Sequence, residues 1–243
     1  MEIGNWRRSG RDTISRVEID HIIFGAPGLA AGIEAVEGLL GVRAAMGGKH
    51  VGLGTHNALL SLGGGAYVEI IARDPEQPAP SRPLAFGLDI PGEPRLVTWA
   101  IKASDIETRA ERAKAAGVDL GPVLRMSRVR PDGVRLEWAL TYREEMLGDG
   151  LVPFLIAWEP GPHPSETSPG GCRLTSLRGG APGAGAYRGD AGGGGSGDAG
   201  GARPEAGADR NGGGAAGDGG VAVAGRWCRV AGVGAGRSVR AQH

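Results

Sequence analysis

Apolar and polar positions switch between two periods along residues 16–160, and each switch marks an element. Residues 17–24, Val-Glu-Ile-Asp-His-Ile-Ile-Phe, mix β-branched and apolar side chains and stop at Gly25-Ala26-Pro27-Gly28, which predicts a strand and a turn. Leu29, Ile33, Val36, Leu39 and Leu40 then fall at helical spacing, with Gly41 placed to cap the helix end. After a Gly47-Gly48 break, residues 50–57 read as a polar loop punctuated by glycine. An apolar run follows at 58–62, then a Gly63-Gly64-Gly65 turn and a strand at 66–72 with Glu69 inside its apolar run.

The same order returns in the second half. A Pro-rich connection at 75–94 leads to a strand at 96–103 and a helix opened by Ser104-Asp105 and ended by Ala116-Gly117. Strands are expected at 123–130, at 134–142 after the Pro131-Asp132-Gly133 turn, and at 152–158. A repeated βαβββ unit predicts an α+β fold of paired modules, whose curved mixed sheet surrounds a cleft that neither half could bury alone. The expected organisation is an N-terminal extension at 1–15, the paired domain at 16–160, and a linker with the start of a third strand unit at 161–178. A disordered Gly-rich tail follows at 179–243.

Composition supports that division. Of 47 glycines, 23 lie in the last 65 residues, which contain no Leu, Ile, Phe, Met or Lys. Ordering a residue costs roughly 1–2 kcal/mol of backbone entropy, and large apolar side chains are what recover it. In GC-rich coding DNA, a shift of frame near codon 179 would turn a third unit into such glycine runs; a native low-complexity tail is the other account.

Lys+Arg and Asp+Glu both number 27, so no overall charge draws the chain to nucleic acid or to an acidic membrane surface. Cys172 and Cys228 are too few for a disulfide framework or a cysteine metal site. No apolar run approaches the ~20 residues that span a bilayer, and the N-terminus lacks a signal-peptide core. A reducing, cytoplasmic setting is expected.

Two nucleotide motifs fail on inspection. Gly47-Gly48-Lys49-His50 has His where a phosphate loop needs Ser or Thr, and Gly52-Leu53-Gly54-Thr55-His56-Asn57 lacks the last glycine of a dinucleotide fingerprint.

Four segments in order carry a resemblance: Asp20-His21-Ile22-Ile23, Gly54-Thr55-His56-Asn57-Ala58-Leu59-Leu60, Tyr67-Val68-Glu69-Ile70-Ile71, and Met126-Ser127-Arg128-Val129-Arg130-Pro131-Asp132-Gly133. Residues 16–160 resemble the glyoxalase-like branch of the vicinal-oxygen-chelate superfamily. The resemblance implies a divalent metal (Zn, Fe, Mn or Ni) on His21 and Glu69, and often a homodimer. It implies a lyase, isomerase or dioxygenase acting on a small oxygen-rich molecule. Imidazole and carboxylate suit such ions, and an open site polarises paired substrate oxygens.

The second half departs from the pattern, with no histidine near Thr98 and no carboxylate at 155–157. His56 would supply a third ligand if its side chain points inward, and Glu159 near the strand end is a further candidate. His50, Thr55 and Asn57 are expected on the substrate rim, with Arg128 and Trp138 beside the substrate from the second half. The ordinary alternatives are a His and Glu satisfied by neighbours, a loop whose Thr and Asn serve the backbone, and a solvated arginine face. The missing ligands favour a second class of function, a metal-free protein that binds or sequesters a small molecule.

Overall fold

In this computed structural model, residues 17–89, 92–179, 187–190, 220–224 and 228–231 are described. The N-terminal extension lies outside them. The first module is β1 (Ile19–Gly25), α1 (Leu29–Leu40), β2 (Ala45–His50), β3 (Thr55–Ser61) and β4 (Tyr67–Arg73). The second is β5 (Arg95–Lys102), α2 (Ile106–Ala115), β6 (Val123–Val129), β7 (Arg135–Thr141) and β8 (Phe154–Trp158). They form one eight-stranded sheet in the order β2-β3-β4-β1-β5-β8-β7-β6, so the modules meet where β1 and β5 run antiparallel. Within each module the first and last strands pair in parallel.

Strand alternation sorts the two faces of this sheet. Ile22, Phe24, Ala58, Leu60, Val68 and Ile70 lie on the convex face under α1, whose Leu29, Ile33 and Val36 complete that core. Contact there is close enough that a Cβ on Gly32 would stand 2.5 Å from Ile70 Cγ2, so only glycine fits. Gly41 ends the helix in the left-handed conformation its position predicts, at φ 69°.

Of residues 50–57, expected as a loop, His50 closes β2, 51–54 form a turn, and Thr55, His56 and Asn57 open β3. Gly47 and Gly48 sit inside β2, and the chain turns only between His50 and Thr55. These glycines allow close approach rather than break the strand. A Cβ on Gly47 would come 2.2 Å from Asn57 Oδ1, and one on Gly48 would come 2.8 Å from the Val129 carbonyl oxygen of β6. The two outer strands of the sheet thus nearly meet, and Arg128 Nη1 of β6 donates to the Gly47 carbonyl of β2 at 2.5 Å. The sheet curls almost into a barrel, and its concave face becomes the wall of a cavity.

Residues 161–178 pack back on the first module. Ser61 N donates to the Pro169 carbonyl at 2.8 Å, Leu174 N donates to the Leu62 carbonyl at 3.0 Å, and Cys172 joins the core beneath α1. This stretch holds α3 (Pro164–Thr167) and leads into β9 (Arg173–Gly179). Three short strands, β10 (Tyr187–Asp190), β11 (Gly220–Ala224) and β12 (Cys228–Ala231), complete a second sheet in the order β10-β9-β11-β12. β9 pairs with β10 and β11, and β12 pairs with β11. The remaining tail residues lie outside the described ones.

Candidate functional site

Every strand of the eight-stranded sheet sends side chains to the concave face, and the polar ones gather on the first module. His21 of β1 and Glu69 of β4 point the same way, with Nε2 and Oε2 3.5 Å apart. Asn57 Nδ2 of β3 donates to Glu69 Oε1 at 2.7 Å. The same amide nitrogen lies 3.3 Å from His50 Nε2, and His50 Nδ1 lies 2.9 Å from Thr55 Oγ1. These contacts fix His50 as the tautomer that donates from Nδ1 to Thr55 and accepts at Nε2 from Asn57. Burial pushes the His50 imidazole below its ordinary pKa against the pull of nearby Glu69, so it stays neutral near pH 7. Asn57 Oδ1 is left buried without a hydrogen-bond partner, facing the Gly47 backbone.

Behind His21 lies a second layer that the sequence did not disclose. Asp20 is fully buried, and its Oδ1 lies 2.6 Å from His21 Nδ1. Its Oδ2 lies 3.0 Å from His163 Nε2, and Trp158 Nε1 lies 3.2 Å from the same oxygen. Burial would raise this carboxyl, but hydrogen bonds from His163 and His21 outweigh it and hold Asp20 well below the usual carboxylate range. The ionised Asp20 accepts a hydrogen bond from His21 Nδ1, which leaves Nε2 as the ring nitrogen that faces Glu69 and the cavity. Adjacent strand residues normally face opposite ways. A register shift between Ile19 and His21 in the β1–β5 pairing coincides with this exception.

Aromatic rings enclose the pair. Tyr67 stacks on His21 with centroids 4.8 Å apart, and Phe154 meets it edge-on at 5.4 Å. Trp138 and Trp158 pack together at 5.3 Å across β7 and β8, and Trp138 also meets His50 edge-on. Arg82 and Phe86 from the Pro-rich connection and Tyr142 and Arg143 from the second module line the same cavity. Phe86 holds a left-handed backbone, φ 61°, with its ring 5.9 Å from Phe154.

Of the residues singled out from sequence, His21, Glu69, His50, Thr55, Asn57, Arg128 and Trp138 line one cavity. His56 does not join them. It alternates with Thr55 and Asn57 along β3 and lies on the other face, with Nδ1 3.9 Å from Asp74 Oδ1. Glu159 pairs with Arg125 at 3.2 Å among exposed side chains. Arg128 is buried at 4% exposure opposite Leu136, whereas Arg135 is exposed and bonds to Glu137 and Ser127. Asp20 was within reach of sequence reading as the neighbour of His21, but His163 lay in a stretch taken for a linker.

Among the described residues no group of three or more His, Cys, Asp or Glu is arranged to hold a metal ion. His21 and Glu69 offer two ligands; His50 Nε2 is 3.7 Å from Glu69 Oε1 but already accepts from Asn57. This is fewer protein ligands than a self-sufficient site requires.

Residues 19–189 match the family model for a glyoxalase-like domain, and the chain belongs to that family, of vicinal-oxygen-chelate fold. Among solved structures, a hypothetical protein from Staphylococcus aureus matches at TM-score 0.48 and 18% identity, over 66% of this chain and 68% of that one. Methylmalonyl-CoA epimerase from Mycobacterium tuberculosis matches at TM-score 0.39 and 20% identity, over 61% of this chain and 92% of its own. A hypothetical protein from Bacillus halodurans matches at TM-score 0.38 and 18% identity, over 60% and 96%. No curated protein matches. Among the described residues, no helix is long and apolar enough to cross a membrane.

Proposed function

We propose that this protein is a small-molecule enzyme that moves a proton on an oxygen-rich substrate, in the manner of an isomerase or lyase, with His21 and Glu69 at the reacting centre. One observation carries the reading. Asp20 holds His21 through Nδ1, with Nε2 3.5 Å from a carboxylate inside an aromatic enclosure. A base fixed in one tautomer and shielded from water is what proton abstraction next to a carbonyl requires.

His21 Nε2 takes the proton, and the imidazolium that forms is stabilised by Asp20 on one side and Glu69 on the other. Asn57, donating to Glu69, keeps that carboxylate turned toward the ring. A divalent cation, where the family uses one, supplies Lewis-acid polarisation of substrate oxygens. Here it would find two protein ligands, His21 and Glu69.

The two-ligand count favours a second reading, a protein that holds its ligand on the same aromatic face without turnover. Proton exchange separates the two. The purified chain is incubated in D₂O with carbonyl compounds bearing an acidic α-hydrogen, and deuterium uptake is followed by NMR beside H21Q and E69Q. Exchange that is lost in both variants supports the enzyme. Binding without exchange, unaltered by added Zn²⁺, Mn²⁺, Ni²⁺ or anaerobic Fe²⁺, supports the binding protein.

A further inference from the structure

The charges on the concave face are not balanced, and the imbalance has a place. Glu69 is already served, by Asn57 on one oxygen and by His21 near the other. Arg128, on the opposite module, is 4% exposed and forms no ion pair among the described residues; its hydrogen bond goes to a backbone carbonyl. Burial lowers its pKa, with Glu69 acting against that shift, yet a guanidinium keeps its charge in proteins. A buried, permanently charged fork with a neutral partner is costly to maintain unless something arrives to pair with it. Further out, Arg82 and Arg143 line the same cavity, with Glu145 beside them. Of these three arginines Arg128 is buried, while Arg82 and Arg143 are exposed and Arg143 lies 3.9 Å from Asp119.

We propose that the ligand of this cavity is a carboxylic acid, whose carboxylate pairs with the guanidinium of Arg128 while its remaining oxygen functions face His21 and Glu69. The inference rests on the concave face being the ligand site and adds the substrate's charge to it. A planar guanidinium accepts a carboxylate through two parallel hydrogen bonds, which gives orientation as well as attraction. One negative charge fits better than two. There is a single buried cation, and the carboxylate of Glu69 shares the space, so a phosphate dianion would be repelled more than it is bound. The rings of Trp138, Trp158 and Phe154 suit an apolar or aromatic body behind the acid group.

The test uses the full chain and neutral isosteres. Mandelate and lactate are titrated beside mandelamide and lactamide, with inorganic phosphate as a third class, by calorimetry and by quenching of the cavity tryptophans. The acids should bind at least tenfold more tightly than their neutral partners, as expected for a charge-assisted pair in a shielded site. R128K should weaken the acids less than R128Q does, and E69Q should tighten them. Because Arg128 also closes the sheet, thermal unfolding of both variants is recorded. The comparison of acid with amide on the unaltered protein stands even where a variant fails to fold.

Equal binding of mandelate and mandelamide, both weakened alike by H21Q, would overturn the carboxylate inference and leave the concave face as the ligand site. Tighter binding of phosphate than of either acid would also overturn it. Binding that neither H21Q nor R128K alters would remove both the inference and the site on which it rests.

Discussion

His21 Nδ1 lies 2.6 Å from Oδ1 of Asp20, its neighbour in sequence, and that contact decides what the opposite edge of the ring offers to a ligand. Asp20 in turn is held by His163 and Trp158, from chain more than a hundred residues away. The reactive edge of His21 is therefore set in part from behind the cavity wall, by Asp20 and His163.

Replacing Asp20 by Asn should cost roughly 1–3 kcal/mol, because a buried acceptor of several donors becomes a group with mismatched hydrogen bonds. The folded carboxyl titrates below its ordinary value of 3.8, so its stabilising contribution is complete above about pH 4. It is lost as the pH falls through the lower, folded value. Urea unfolding from pH 3 to pH 7 should show a steeper acid decline for the unaltered protein than for D20N. Nitrogen NMR of the His21 ring should move from one dominant tautomer toward a mixture.

Gly47 should tolerate no side chain. A Cβ there would meet Asn57 Oδ1 at 2.2 Å and push β2 away from Arg128. Overpacking of this kind costs roughly 1–3 kcal/mol. G47A should lower the urea midpoint by a corresponding amount and weaken ligand binding, whereas an alanine at Gly38 of α1, where a Cβ meets nothing within 4 Å, should do neither.

His50 is buried and neutral, with its pKa driven below the ordinary 6.5 by desolvation. The unfolded chain takes up a proton there below about pH 6.5, and the folded chain does so only at lower pH. Stability from this residue is therefore full above pH 6.5 and is lost as the pH falls through the folded value. In H50Q, which keeps a donor and an acceptor, the change in unfolding free energy between pH 7 and pH 5 should be smaller than in the unaltered protein.

His56 provides the contrast. It sits across β3 from the cavity beside Asp74, at a partly exposed position. H56A should change stability by about 1 kcal/mol or less and leave ligand affinity within about twofold, while H21A abolishes binding or turnover. A loss in H56A equal to that in H21A would show that both faces of the strand contribute to the site.

The repeated βαβββ order was legible because period-two and period-3.6 patterns, together with capping glycines, are local. Leu29, Ile33 and Val36 announce α1 without help from the rest of the chain, and the two modules follow from the order of such segments. The pairing of His21 with Glu69 came from the family resemblance.

Three features were decided by tertiary structure alone. Gly47 and Gly48 read as a break because nothing local tells a turn glycine from one that admits a neighbouring strand; β6, some eighty residues on, makes the difference. His56 falls on the outer face because side-chain facing depends on where the strand begins, and a shift of one residue reverses it. The Asp20 cluster needed His163 and Trp158 to arrive from distant chain, and a hydrogen bond across such a separation leaves no periodic trace in sequence. Local pattern therefore determined the elements and their order, while the closed sheet determined which polar groups meet, because burial makes each of those encounters conditional on the whole fold.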